Sequence, residues 1–252
     1  MAEIILKQDG KLVVQDVQVG GSNTGLPPTT GNDGFALIEL SGIAAWRVIK
    51  ESYVQANFAI STFSASASVV EVNQSIVTPA FTASYNRTPT TALLDDDEGS
   101  AQKDVTSTPT SFASNETFQK TANNDSVLFT LTADDGDTPV LSNTSISWRP
   151  RTFYGVDVDG LSTEGDIEGL ANQQLDANRQ ITFIVTAGAG QHIYYAFPDS
   201  YGTPTFFVNG FEGGFILEAD NVSVTNAFGN TQNYDLWKST NANLGTTTVQ
   251  VT

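Results

Sequence analysis

The chain contains no cysteine, one histidine and one methionine, and only 11 lysine and arginine residues stand against 28 aspartate and glutamate residues. Each shortage removes a class of chemistry. Without cysteine no disulfide staples the fold and no thiolate serves as nucleophile or metal ligand; that suits a chain folding and assembling in a reducing cytoplasm. A zinc site needs several Cys or His ligands, and a catalytic triad needs a positioned imidazole with partners. The lone His192 sits in Gln191-His192-Ile193-Tyr194-Tyr195, a run that reads as a strand. Nucleic-acid binding needs clustered cations to displace counterions from phosphates, and a net charge of −17 argues against it. The same scarcity of cations argues against docking on an anionic membrane surface. No apolar run approaches the ~18 residues of a membrane span. The opening Met1-Ala2-Glu3-Ile4-Ile5-Leu6-Lys7 lacks the basic region and the long apolar stretch of a secretion signal.

Charge of either sign is sparse. Charged residues make up 15% of the chain, below the usual ~25%, and Ser, Thr, Asn and Gln take their place. The acidity reads as solubility and mutual repulsion between copies, with cation binding as the alternative. Glycine stands at 21 and proline at 9, which fits many short strands joined by turns. A length of 252 residues accommodates two modules and a leader.

Four regions emerge along the chain. In residues 1–34, Ile4-Ile5-Leu6 and Leu12-Val13-Val14 flank Gln8-Asp9-Gly10-Lys11, a hairpin signal, and a Gly/Pro-rich linker follows at 20–34. Two strands alone are barely stable in water, so this leader is expected to dock on something and to act as an attachment element. Residues 35–57 read as connecting strands. Residues 58–155 read as an antiparallel sandwich with strands at 68–72, 79–86, 126–133 and 144–148. The clearest is Ser126-Val127-Leu128-Phe129-Thr130-Leu131-Thr132-Ala133, with Val127, Phe129, Leu131 and Ala133 on one face. Residues 156–252 read as a second β-rich module that opens with one short helix near 164–176. Thr163 and Asp166 mimic a capping box, and Ile167, Leu170, Ala171 and Leu175 follow helical spacing. Strands are expected afterwards at 181–187, 192–197, 205–208, 215–219, 221–226, 232–238 and 246–251. The fold class is therefore all-β.

Few residues offer chemistry. Pro198-Asp199-Ser200-Tyr201-Gly202 resembles a nucleophile elbow, but that elbow needs a strand-to-helix turn and strands are expected on both sides. Acidic runs at Asp95-Asp96-Asp97-Glu98, Asp134-Asp135-Gly136-Asp137 and Asp157-Val158-Asp159-Gly160 read as solvated turns. Calcium wants 6–8 oxygen ligands from a loop, and Asp157, Asp159, Glu164 and Asp166 are the place to look for one. No two of the 28 acids stand out as a glycosidase pair. No catalytic residue, resident metal or cofactor is expected, and the chain is not expected to be an enzyme. Aromatic residues crowd between 194 and 215. They either fill a core or form a contact surface; alternation along Tyr194-Tyr195-Ala196-Phe197 turns only half inward, so most are expected in the core and the remainder at a subunit interface or a glycan-stacking platform. Tyr195, Phe197, Phe206 and Phe211 are the candidate interface or glycan contacts.

A family pattern runs through these segments. Val70-Glu71-Val72-Asn73-Gln74-Ser75-Ile76 and Phe81-Thr82-Ala83-Ser84-Tyr85-Asn86-Arg87-Thr88-Pro89 resemble the opening strands of an Ig-like module of tailed-phage structural proteins. Phe129-Thr130-Leu131-Thr132-Ala133-Asp134-Asp135-Gly136, Trp148 and Phe153-Tyr154-Gly155 resemble its closing strands. Tyr194 to Gly202, Gly210 to Phe215, and Tyr234 through Trp237-Lys238-Ser239 to Gly245 extend the likeness, which covers about 58–252. Asn73 stands where that module would carry Gly, and Asn also tolerates positive φ. The resemblance implies an Ig-like antiparallel β-sandwich and a virion protein, a tail or head fibre or a decoration or appendage. It would be assembled in the host cytoplasm as a homo-oligomer, with a trimer favoured, beside other virion proteins and in reach of a host surface receptor. The alternative is a receptor- or glycan-binding adhesin module.

Overall fold

The computed structural model describes the strands at 3–6, 12–15, 35–40 and 43–48, and residues 57–136 and 138–252. The expected turn at 8–11, the linker at 20–34 and Asp137 lie outside the described residues. The chain divides into two compact units, 1–58 and 59–252. In the first, β1 (Glu3–Leu6) pairs antiparallel with β2 (Leu12–Gln15), and β3 (Phe35–Leu40) with β4 (Ile43–Val48).

The second unit holds two all-β modules in succession. The first comprises β5 (Ile60–Ala65), β6 (Val69–Glu71), β7 (Ile76–Val77), β8 (Ala80–Tyr85), β9 (Thr91–Asp96), β10 (Lys103–Asp104), β11 (Ser111–Ala113), β12 (Thr117–Phe118), β13 (Ser126–Asp134) and β14 (Val140–Arg149). One sheet runs β10-β9-β13-β14-β6 and faces another of order β11-β8-β5. Phe81 of β8 meets Phe129 of β13 with ring centroids 4.7 Å apart, and Phe118 meets Phe129 edge-on at 5.1 Å. The face expected of β13 is the buried one: Val127, Phe129, Leu131 and Ala133 are sealed. One pairing departs from the expected antiparallel pattern, since β6 runs parallel to β14. At the end of β6, Asn73 adopts φ +67°, as its place in the turn requires.

The second module comprises β15 (Arg151–Asp157), α1 (Glu164–Glu168), β16 (Asn172–Leu175), β17 (Ile181–Ala187), β18 (His192–Pro198), β19 (Phe206–Val208), β20 (Phe211–Glu212), β21 (Phe215–Thr225), β22 (Thr231–Ser239) and β23 (Gly245–Val251). Its sheets run β16-β15-β18-β22-β21 and β17-β23-β19-β20. Phe153-Tyr154-Gly155, read from the sequence as closing the first module, lies in β15 and pairs with β18 of the second. The sheets therefore change hands at Pro150, the single residue between β14 and β15.

The helix is shorter than its spacing suggests. It spans Glu164–Glu168, capped by Thr163 and Asp166 in a reciprocal capping box, and Asn172–Leu175 is a strand on the edge of the larger sheet. The expectation of a helix to 176 is thus corrected. Gly169 ends the helix, and Leu175 aligns with Ile167 by coincidence of spacing. The cap survives because Asp166 accepts from the backbone N–H of Ser162 and Thr163. These bonds hold its carboxyl below the usual range.

Candidate functional site

Three of the four candidate contact aromatics are core residues. Tyr195 and Phe197 are fully buried and Phe206 nearly so. The expectation that they form a contact surface is corrected, and the reason is a third layer. Strand β18 is central in its sheet, between β15 and β22. One face packs on the smaller sheet through Tyr195, Phe197, Phe183 and Phe206. The other carries Tyr194, Ala196, Phe153, Tyr234 and Leu236 beneath Leu161, Ile167 and Leu170, brought over it by α1 and its flanks. Alternation therefore does not set inside against outside here; both sides are inside. Of the four, Phe211 alone lies at the surface, 81% exposed. It sits just after the Asn209-Gly210 turn, where both residues have positive φ. That is the turn joining β19 to β20, and Asn-Gly between apolar residues is the sequence signal that marks it.

The polar candidates are spoken for. His192 Nδ1 lies 2.7 Å from the Ser239 carbonyl, a contact with backbone inside the sheet. Asp157 accepts from the Val158 N–H, Glu164 from the Thr225 N–H, and Asp166 caps its own helix. Asp159 and Glu218 both grip the buried Lys238 ammonium, at 2.5 and 2.6 Å. These bonds raise Lys238 above its usual range and lower Asp159. Among the described residues no group of three or more His, Cys, Asp or Glu is arranged to hold a metal ion. Pro198 to Gly202 is a 3₁₀ turn between two strands, not a strand-to-helix elbow. One acidic pair escaped sequence reading: the register shifts in β21 bring Asp220 beside Asp235. Burial first, then Asp220, raise the Asp235 carboxyl above its usual range. Nothing local in the sequence marks a bulge there except Asn221, whose φ is +55°.

Polar groups converge on a cavity of about 260 Å³ where the two modules meet. Glu71 of β6 is buried and its carboxylate meets the Arg151 guanidinium at 2.7 Å. The same guanidinium donates to Gln173 at 2.6 Å. Glu71 holds Arg151 above its usual range. The Tyr234 hydroxyl donates to the Arg151 carbonyl at 2.8 Å. Above them the loop between β21 and β22 folds on Asn226. Its Oδ1 accepts from Phe228 and Asn230, and its Nδ2 donates to the Val72 carbonyl of the first module at 2.7 Å. Asn73 returns a bond to the Phe228 carbonyl at 2.6 Å, and Asn123 one to Gln232 at 2.7 Å. Asn230 Nδ2 is buried beside the cavity without a hydrogen-bond partner. With Glu168 also on the wall, two carboxylates face one guanidinium, so an anion is disfavoured. The mixture of amide donors and carboxylate acceptors suits a small hydroxyl-rich molecule, and the volume lies below the ~300 Å³ where drug-sized pockets begin.

Compared with protein-family models, with curated proteins and with solved structures, the chain matches none of them.

Proposed function

We propose that this chain is a structural component of a tailed-phage virion, a fibre or a decoration or appendage piece. Its Ig-like first module and its second module would act as a stiff body between attachment points. One observation carries this reading. The two modules are clamped by an ion pair between the buried Glu71 carboxylate and the half-buried Arg151, and by reciprocal side-chain-to-backbone bonds between Asn226 and Val72 and between Asn73 and Phe228. Relative motion is the default for modules in one chain; a clamp of this kind serves a part whose task is to hold a shape. The low charge and Thr/Asn-rich exterior support packing against other virion proteins, and the leader at 1–34 would supply attachment. The test is to purify particles from a culture that encodes the chain and probe them with antibody raised against it. Gold label at a regular position on the particle is the expected result. A chain recovered only in the particle-free fraction would reject the reading.

The cavity between the modules favours a second reading, a glycan-binding adhesin module. A glycan array probed with the full chain, and with a Glu168→Gln variant, tests it. Specific binding weakened by the substitution supports this reading; equal signal from both chains removes it.

A further inference from the structure

Strand β17 is an edge of the smaller sheet, paired with β23 on one side only. Its free side can be derived from the hydrogen bonds of its neighbour. Thr205 and Thr252 exchange both backbone bonds, and Asn209 donates to Thr248. In an antiparallel ladder, bonded and non-bonded residues alternate, so the even-numbered residues of β23 face β19 and the odd-numbered ones face β17. Their partners are Ile181, Phe183, Val185 and Ala187. The N–H and C=O groups of Thr182, Ile184 and Thr186 therefore point outward, and no described residue bonds them.

Exposed backbone of this kind is a template for another strand, and proteins usually blunt it with charge, bulges or brevity. The other sheet edges of residues 59–252 follow that rule. Strand β21 carries two register shifts together with Glu218 and Asp220. Strand β5 has a register shift at its start, and β6, β10, β11, β16 and β20 have four residues or fewer. Strand β17, Ile-Thr-Phe-Ile-Val-Thr-Ala, has seven residues in unbroken register and no charge. Its solvent face is also neutral, with Thr182, Ile184 and Thr186 beside Thr246, Thr248 and Gln250. In a chain of net charge −17, this is a place where two copies can meet without like-charge repulsion.

The pattern is also self-complementary. Ile184 is the midpoint of the strand, carries outward-pointing backbone groups, and is 66% exposed. We infer that two copies pair edge to edge through antiparallel β17 strands about a two-fold axis at Ile184. Ile184 then lies opposite its counterpart, and Thr182 lies opposite Thr186 of the second copy. All three are bonded positions, so the outward N–H and C=O groups are satisfied together and the two exposed isoleucines cover each other. This pairing goes beyond the virion reading and stands or falls separately from it.

The test uses the full chain. Sedimentation at micromolar concentration is expected to give twice the 26.9 kDa chain mass, falling by half for Ile184→Lys. In a protein without cysteine, Ile184→Cys is expected to form a disulfide-linked dimer on mild oxidation, since bonded antiparallel partners lie ~5.5 Å apart at Cα. Leu141→Cys, equally exposed on β14, is expected to stay monomeric on a non-reducing gel. A monomeric or trimeric wild type overturns the inference, as does a dimer that Ile184→Lys leaves intact. If the lysine variant does not fold, the gel decides: equal cross-linking from positions 184 and 141 rejects the two-fold pair.

Discussion

The two modules of residues 59–252 solve burial differently. The first is a two-layer sandwich whose central strand β13 alternates between buried residues and exposed or half-exposed ones, and phenylalanines dominate its core beside Trp148: Phe81, Phe112, Phe118 and Phe129, with the half-buried Phe63 against them. The second buries its larger sheet on both sides, so that β18 is closed from Ile193 to Pro198, and its core uses tyrosines. Tyr194 donates to the Val158 carbonyl, Tyr195 to Arg179, Tyr201 to Asp176 and Tyr234 to Arg151. A phenylalanine core only packs; a tyrosine core also ties the surrounding loops to the sheet through its hydroxyls.

The largest test of this contrast removes one ring from each core. Phe129→Ala and Phe197→Ala should each cost about 3–5 kcal/mol. Because of the Glu71–Arg151 clamp, both should lower the same single urea transition. Separate transitions, each answering to one variant, would show that the modules unfold independently. Arg151→Ala comes next. It leaves the Glu71 carboxylate buried without its cation, at a cost on the order of 3 kcal/mol, and calorimetry should then resolve two transitions where the wild type shows one.

Alkali should sharpen the comparison. Burial raises Tyr194 and Tyr201 to about 12 and pushes Tyr195 and Tyr234 up as well. Above the ordinary tyrosine value of ~10, the unfolded chain releases protons that the folded chain keeps, so stability falls as pH rises from there through about 12. The first module holds only Tyr85, also raised by burial. Near-ultraviolet dichroism followed upward in pH should therefore lose the tyrosine signal of the second module together with its fold, in one step. The smallest effect is expected at the helix cap. Thr163→Ala removes the side chain that accepts from the Asp166 N–H and should cost about 1 kcal/mol, seen as a modest fall in urea midpoint with unchanged far-ultraviolet dichroism.

The same contrast governs what the sequence could reveal. The buried face of β13 was legible residue by residue because one side of that strand faces water and the pattern has period two. The place of strand β18 is legible in the sequence, but the burial of Tyr195 and Phe197 is not, because a strand covered on both faces carries no alternation to read. Strand β9 was hidden by its acidic end, Asp95-Asp96, which looks like a turn when local charge is the only guide. The helix was overextended because Leu170 and Leu175 serve the core and the edge strand at distances that mimic a helical repeat. The cavity between the modules was invisible for a different reason: Glu71, Arg151 and Asn230 are far apart in sequence, and only the change of sheets at Pro150 brings them together.

That change of sheets bears on how the protein would carry load. A single residue separates β14 from β15, so there is no slack between the modules to be drawn out under tension. A pull on one module reaches the other through continuous strand, and Pro150 cannot lengthen to absorb it. Separating the two modules would then begin only when a sheet itself tears, which sets a high threshold before the junction between them gives any length.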